Sequence, residues 1–208
     1  VGTYGTNVMG TLHLFEACRM ADSVRAVVNV TSDKCYENFE WERGYRETDP
    51  MGGGDIYSTS KGAAELLTAS YRKSFWSAEH YGSKHETLLA SVRAGNVIGG
   101  GDWAADRLVP DAIRAVEAKK KLVIRNPRAT RPWQHVLEPL RGYLMLSSRL
   151  LAGEKSFAEG WNFGPEQENC VPVEELLRGL KKHLPDLEWH VEPSEIKEAN
   201  FLKLDSTK

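Results

Sequence analysis

Tyr57 and Lys61 stand four positions apart in the stretch Tyr57-Ser58-Thr59-Ser60-Lys61. On a helix, positions i and i+4 share one face, so the ammonium lies beside the phenol and favours its ionised form. A phenol with an ordinary pKa near ~10 serves as a base close to neutrality only with such help. A second polar cluster, Thr31-Ser32-Asp33-Lys34, ends the apolar run from Val24 to Val30. Hydroxyl, carboxyl, ammonium and assisted phenol, in this order along the chain, point to an oxidoreductase-type site.

The elements that must hold these groups follow from periodicity. Val8, Leu12, Phe15 and Cys18 recur at helical spacing and predict an amphipathic helix over residues 5–20. Val24 to Val30 is a short β-branched run of the kind that forms a buried parallel strand. Residues 33–56 are polar and turn-rich, with Gly52-Gly53-Gly54 near the end, and predict a surface loop. Ser58 to Phe75 reads as a helix and Glu86 to Val92 as the next strand. Helix and strand alternation of this kind implies an α/β fold with a parallel, Rossmann-like sheet.

Beyond the turn Gly99-Gly100-Gly101-Asp102-Trp103, a surface helix is expected from Pro110 to Lys121, its end marked by Lys119-Lys120-Lys121. A short strand at Leu122 to Arg125, a helix at Leu137 to Leu151 and a strand at Trp161 to Phe163 follow. The chain then gives a helix at Val173 to Leu184 and a strand at Leu187 to Val191. Residues 1–98 are read as part of a dinucleotide-binding domain. Residues 99–208 are read mainly as a smaller α/β substrate lobe, with room for segments that return to the sheet. No glycine-rich phosphate turn follows a strand near the start, so a dinucleotide's pyrophosphate turn must come from upstream of Val1. The chain opens without a Met and directly on a helical pattern, as a piece of a longer protein would.

With 27 basic and 29 acidic residues the net charge is -2, which argues against a general attraction to nucleic acid or to an anionic membrane. Cys18, Cys35 and Cys170 are odd in number and widely spaced, which argues against a disulfide framework and a zinc site. No apolar run approaches the ~20 residues that span a bilayer, and a cytoplasmic, reduced setting is the expectation. No metal site is predicted.

The set Thr6-Asn7-Val8-Met9-Gly10-Thr11, Thr31 to Tyr36, Tyr57 to Lys61, Arg93 to Trp103 and Arg131 to Val136 resembles the extended short-chain dehydrogenase/reductases. Within them it is similar to the CDP-glucose 4,6-dehydratases of deoxysugar biosynthesis. The resemblance implies NAD as cofactor and a CDP-sugar as substrate. Tyr57 would take the sugar 4-hydroxyl proton, Lys61 would hold the nicotinamide ribose, and Ser32 would hydrogen-bond the same hydroxyl. Asp33 would be the acid that protonates the departing 6-hydroxyl. Related dTDP-glucose dehydratases carry an Asp-Glu pair where this chain has Asp33-Lys34, so Lys34 is either the C5 base or an electrostatic stabiliser of the enolate. Asn7 resembles the asparagine that supports the active-site helix at the cofactor, and it also suits a helix N-cap. Arg93 is expected at the nicotinamide, and Asn96 and Arg131 at the substrate phosphates. Trp103, Trp133 and His135 border the cytosine or serve packing. The resemblance further implies a homodimer, or a dimer-based tetramer, joined through the helices Val8–Met20 and Ser58–Phe75. A 4-epimerase, another nucleotide-sugar dehydratase and a silent binding fragment are the alternative readings.

Overall fold

The run from Ala26 to Val30 forms the first strand, β1, of a computed structural model that describes residues 1–166, 169–192 and 200–208. β1 pairs in parallel with β2 (Leu88–Ala94), which pairs in parallel with β7 (Gly160–Phe163), giving the order β1-β2-β7. The register sets Val30 opposite Val92 and Ser91 opposite Gly160. Before β1 runs α1, made of Gly2–Tyr4, a π-helical turn Gly5–Met9, and Gly10–Arg19. Between β1 and β2 lies α2 (Ile56–Ser74), whose N-terminus is capped by Asp55 accepting from the amides of Tyr57 and Ser58.

Strand alternation divides the core. Leu88, Ala90 and Val92 face one side of the sheet and pack against Leu146 and Leu150 of α4 (Leu137–Leu151). Leu89 faces the other side with Val27, against Phe15 of α1 and Tyr71 of α2. Ser91 and Arg93 share that second side with Leu89, so both lie beneath the Tyr57 helix. Gly142 of α4 makes the close approach to the sheet possible, because a Cβ there would stand 2.0 Å from the Phe163 ring.

A smaller lobe is built on α3 (Leu108–Glu117), β4 (Leu122–Ile124), α5 (Val173–Lys181) and β9 (Trp189–Val191). β4 and β9 pair in parallel, and Ala112, Leu122, Ile124, Leu177 and Leu187 form its core. Four short strands, in two ladders, escaped the sequence reading: β3 (Val97–Ile98) with β6 (Gln134–His135), and β5 (Thr130–Arg131) with β8 (Val171–Pro172). Strands of two residues carry no periodicity to detect. Helix α4 and strand β7, although late in sequence, complete the main sheet layer rather than the small lobe.

The segment 33–56 is not the surface loop its polarity suggests. Cys35, Tyr36 and Tyr45 are fully buried against Leu202 and Leu204 of the C-terminal stretch. Phe39, Trp41, Tyr45 and Tyr36 stack in sequence with ring centroids 5.1 to 5.3 Å apart. Aromatic burial and stacking thus give a core to a segment that is hydrophilic on average.

Candidate active site

The C-terminal ends of β1 and β2 open onto a cavity of about 370 Å³ lined by Thr31, Ser32, Tyr57, Ala94, Gly95 and Tyr143, among others. Ligands in open parallel sheets bind at such strand ends. The hydroxyl of Ser32 and the phenol of Tyr57 therefore share one chamber. Tyr57 is about half exposed, and Lys61 Nζ stands 5.7 Å from its ring centroid. Burial lowers the Lys61 pKa, while Cys35 and Glu65 oppose that shift.

After β1 the chain forms a single 3-10 turn, Asp33–Cys35, capped by Ser32 Oγ, which accepts from the Lys34 amide at 3.2 Å. Ser32 Oγ also donates to Asp33 Oδ1 at 3.0 Å. Asp33 is buried, and its Oδ2 has no hydrogen-bond partner among the described residues. Burial raises its pKa, an effect that Lys34, Ser32 and Arg131 only partly offset. A buried carboxyl oxygen with no donor costs less when the group is protonated, so the site favours the neutral acid. Asp33 and Lys34 sit behind Ser32 rather than on the cavity wall.

Asn7 lies inside the π-helical turn of α1 and is no N-cap. Its amide donates to Ser60 Oγ at 2.9 Å, and Ser60 Oγ donates to the Tyr57 carbonyl at 2.7 Å. Asn7 thus ties α1 to the Tyr57 helix and does not line the strand-end cavity; π turns often mark functional positions.

Arg93, expected at the nicotinamide, is instead a core residue. It donates to Glu65 Oε2 at 2.8 Å, to Tyr36 Oη at 2.7 Å and to the Glu47 carbonyl at 3.2 Å. Strand alternation is the reason, since its side chain leaves β2 on the face covered by α2. His135 is also displaced from its expected place, lining neither cavity and accepting from the Leu137 amide at the start of α4.

A second cavity, also about 370 Å³, lies against the small lobe. Asn96, Trp103, Trp133 and the buried Arg131 line it, with Arg107 and Arg125. Trp133 Nε1 donates to the Val171 carbonyl at 3.2 Å, so the indole is fixed in the wall, whereas Trp103 is exposed. Val97, Gly99, Gly100, Asp102 and Arg107 border both cavities. The triple-glycine segment is therefore a shared wall, a role its sequence gave as a turn only. The Arg107 side chain at this seam makes no hydrogen bond or ion pair among the described residues, while its carbonyl accepts from the Asp111 amide at 2.9 Å. Its signal was absent from the sequence because a lone arginine before a helix matches no motif. Adjoining chambers, one with phenol and hydroxyl on its wall and the other with guanidinium groups and indoles, suit a sugar joined to a nucleoside diphosphate.

The chain is 51% identical over 210 residues to CDP-glucose 4,6-dehydratase of Salmonella typhimurium, an alignment that takes in 100% of this chain and 58% of that protein. The chain thus spans little more than half the length of this curated relative. The fold matches dTDP-glucose 4,6-dehydratase from Bacillus anthracis in complex with NAD, with a TM-score of 0.75 and 20% identity over 98% of this chain and 60% of that one. It also matches UDP-glucuronic acid 4-epimerase from Bacillus cereus, with a TM-score of 0.80 and 18% identity over 98% and 60%. Residues 1–158 match the NAD dependent epimerase/dehydratase family, and with its parallel sheet and its Tyr57-Lys61 pair at the strand ends the chain belongs to that family.

Proposed function

We propose that the protein carrying this chain dehydrates CDP-glucose to CDP-4-keto-6-deoxyglucose. The observation that carries this reading is the joining of Ser32 and Tyr57 on one cavity, with a buried, neutral-favouring Asp33 hydrogen-bonded to Ser32. The 51% identity to a CDP-glucose 4,6-dehydratase supports the choice of sugar nucleotide.

The strand-end chamber fits a nicotinamide: small residues Ala94 and Gly95 leave room beside the phenol, and Lys61 is near enough to hold a ribose hydroxyl and assist Tyr57. NAD, when bound, supplies a reversible acceptor for the hydride of sugar C4, which it returns to C6. Tyr57 takes the 4-hydroxyl proton, and Ser32 holds that oxygen. The resulting ketone acidifies the C5–H bond. Lys34 assists loss of the C5 proton, by accepting it or by holding the enolate charge, and Asp33 gives its proton to the departing 6-hydroxyl as water. A proton returned to C5 completes the balance. Arg131, Asn96 and Arg107 hold the diphosphate.

Incubating the protein with NAD and, separately, CDP-glucose, dTDP-glucose and GDP-mannose tests the reading. A 4-keto product from CDP-glucose alone is expected; its absence, or 4-epimerised product instead, overturns the proposal. Exposed Met9, Leu14, Leu66 and Phe75 on α1 and α2 support a homodimer through these helices, to be checked by light scattering. None of the described helices is long and apolar enough to cross a membrane, and a cytoplasmic setting goes with this reading.

A further inference from the structure

We infer that Glu65 is a positioning residue that holds the Thr31–Tyr36 segment, with Ser32, Asp33 and Lys34, in register with Tyr57 and Lys61. The inference deepens the dehydratase reading and rests on it.

Tyr57, Lys61 and Glu65 follow one another at intervals of four on α2, so they lie along one face of one helix. Glu65 is 3% exposed. Its Oε1 accepts from the Thr31 hydroxyl, and its Oε2 accepts from Ser91 Oγ and from Arg93, each at 2.8 Å. Arg93 in turn donates to Tyr36 Oη, and Tyr36 donates to Asn162 Oδ1 at 2.7 Å. One carboxylate therefore grips both ends of the same six residues: Thr31 directly, and Tyr36 through a single guanidinium. Between these two anchors stand the three groups assigned to the sugar.

The anchoring is costly to undo. A buried carboxylate deprived of a donor keeps its desolvation penalty, so the segment is driven back to the bonded position. Thr31 Oγ1 also lies 3.2 Å from the Val92 carbonyl, a contact within the sheet that does not reach α2. The Glu65 bond joins Thr31, just past β1, to the helix bearing the phenol, while further back in the strand Asn29 donates to Thr68 of the same helix at 2.8 Å. Displacement of a reacting group by about 1 Å costs on the order of 10²-fold in rate, so loss of this tie registers in kcat before it registers in substrate binding.

Thr31→Val and Thr31→Ser separate positioning from bulk stability, because they leave the Glu65–Arg93 pair in place. Thr31→Val is expected to lower kcat on CDP-glucose by ~10- to 100-fold with KM within about twofold of wild type, and to speed amide hydrogen exchange at residues 32–35. Thr31→Ser is expected to restore both. Wild-type kcat in Thr31→Val, measured well below its melting temperature, overturns the inference, as does unchanged exchange at 32–35 or an equal loss in Thr31→Ser. If the wild-type protein does not act on CDP-glucose, the dehydratase reading has failed, and the exchange comparison still decides whether Glu65 holds the segment.

Discussion

Burial raises the Asp33 pKa, and that sets the sign of the pH dependence expected of it in the proposed role of acid. Its folded pKa is raised, so the protonated form persists above the ordinary carboxylate range of ~4. An acid that must donate works only below its own pKa, and kcat is expected to fall as pH rises through that value. Asp33→Asn should abolish this limb and reduce dehydration by at least ~100-fold while the dissociation constant for CDP-glucose stays within about threefold. Turnover at the wild-type rate would remove Asp33 from the reaction. Arg107→Ala should behave in the opposite way, raising KM by about tenfold with little change in kcat, as expected of a group that binds ground and transition states alike. The Tyr57-Lys61 pair stood out in the sequence by its helical spacing and the Ser32-Asp33-Lys34 cluster by its place at a strand end, while the role of each residue came from the family resemblance. Glu65 and Arg107 did not stand out: nothing local distinguishes a helical glutamate that caps a buried network from one that meets solvent.

Strands and helices explain the main misplacement. Arg93 belongs to a run whose alternate members face opposite layers, and parity with Leu89 sends it under α2. The strand expected from Glu86 to Val92 stops one residue short of Arg93, whereas the observed strand runs on to Ala94 and carries the parity through it. The segment 33–56 was misjudged for a different reason: its polar average hides Tyr36, Trp41 and Tyr45, and only the return of Leu202 and Leu204 provides the other half of their core. That contact spans most of the sequence and leaves no local trace. The order of long helices and strands, by contrast, was legible from periodicity, with ends shifted by no more than four residues. Packing between α4 and β7 is tight enough to be tested. Gly142→Ala sets a methyl group into the Phe163 ring, and overpacking of this kind costs about 1–3 kcal/mol. A lowered urea midpoint with an unchanged slope is the expected outcome; an unaltered midpoint would mean that α4 shifts freely on the sheet.

Across the whole molecule, carboxylates tie distant parts of the chain together. Asp205 accepts from Arg46 at 2.9 Å, Asp49 accepts from Arg43, and Glu65 binds Arg93. Hydrogen bonds and ion pairs hold the pKa of each below its ordinary value, with Thr207, Arg43 and Arg93 the foremost partners. A depressed folded pKa contributes stability that is present above the unfolded value and is lost as pH falls through the folded one. Melting temperature should therefore hold near neutrality and fall below about pH 4, with Glu65→Gln flattening the acid limb; a melting temperature independent of pH between 3 and 7 would contradict the linkage. The stacked rings of Phe39, Trp41, Tyr45 and Tyr36 run from solvent to the Arg93 guanidinium, which lies 5.2 Å from the last of them. Such a column makes Trp41 a built-in optical gauge: any shift in how the guanidinium seats should alter the coupled transitions of the rings, so near-ultraviolet dichroism can follow the buried Glu65–Arg93 pair without a label.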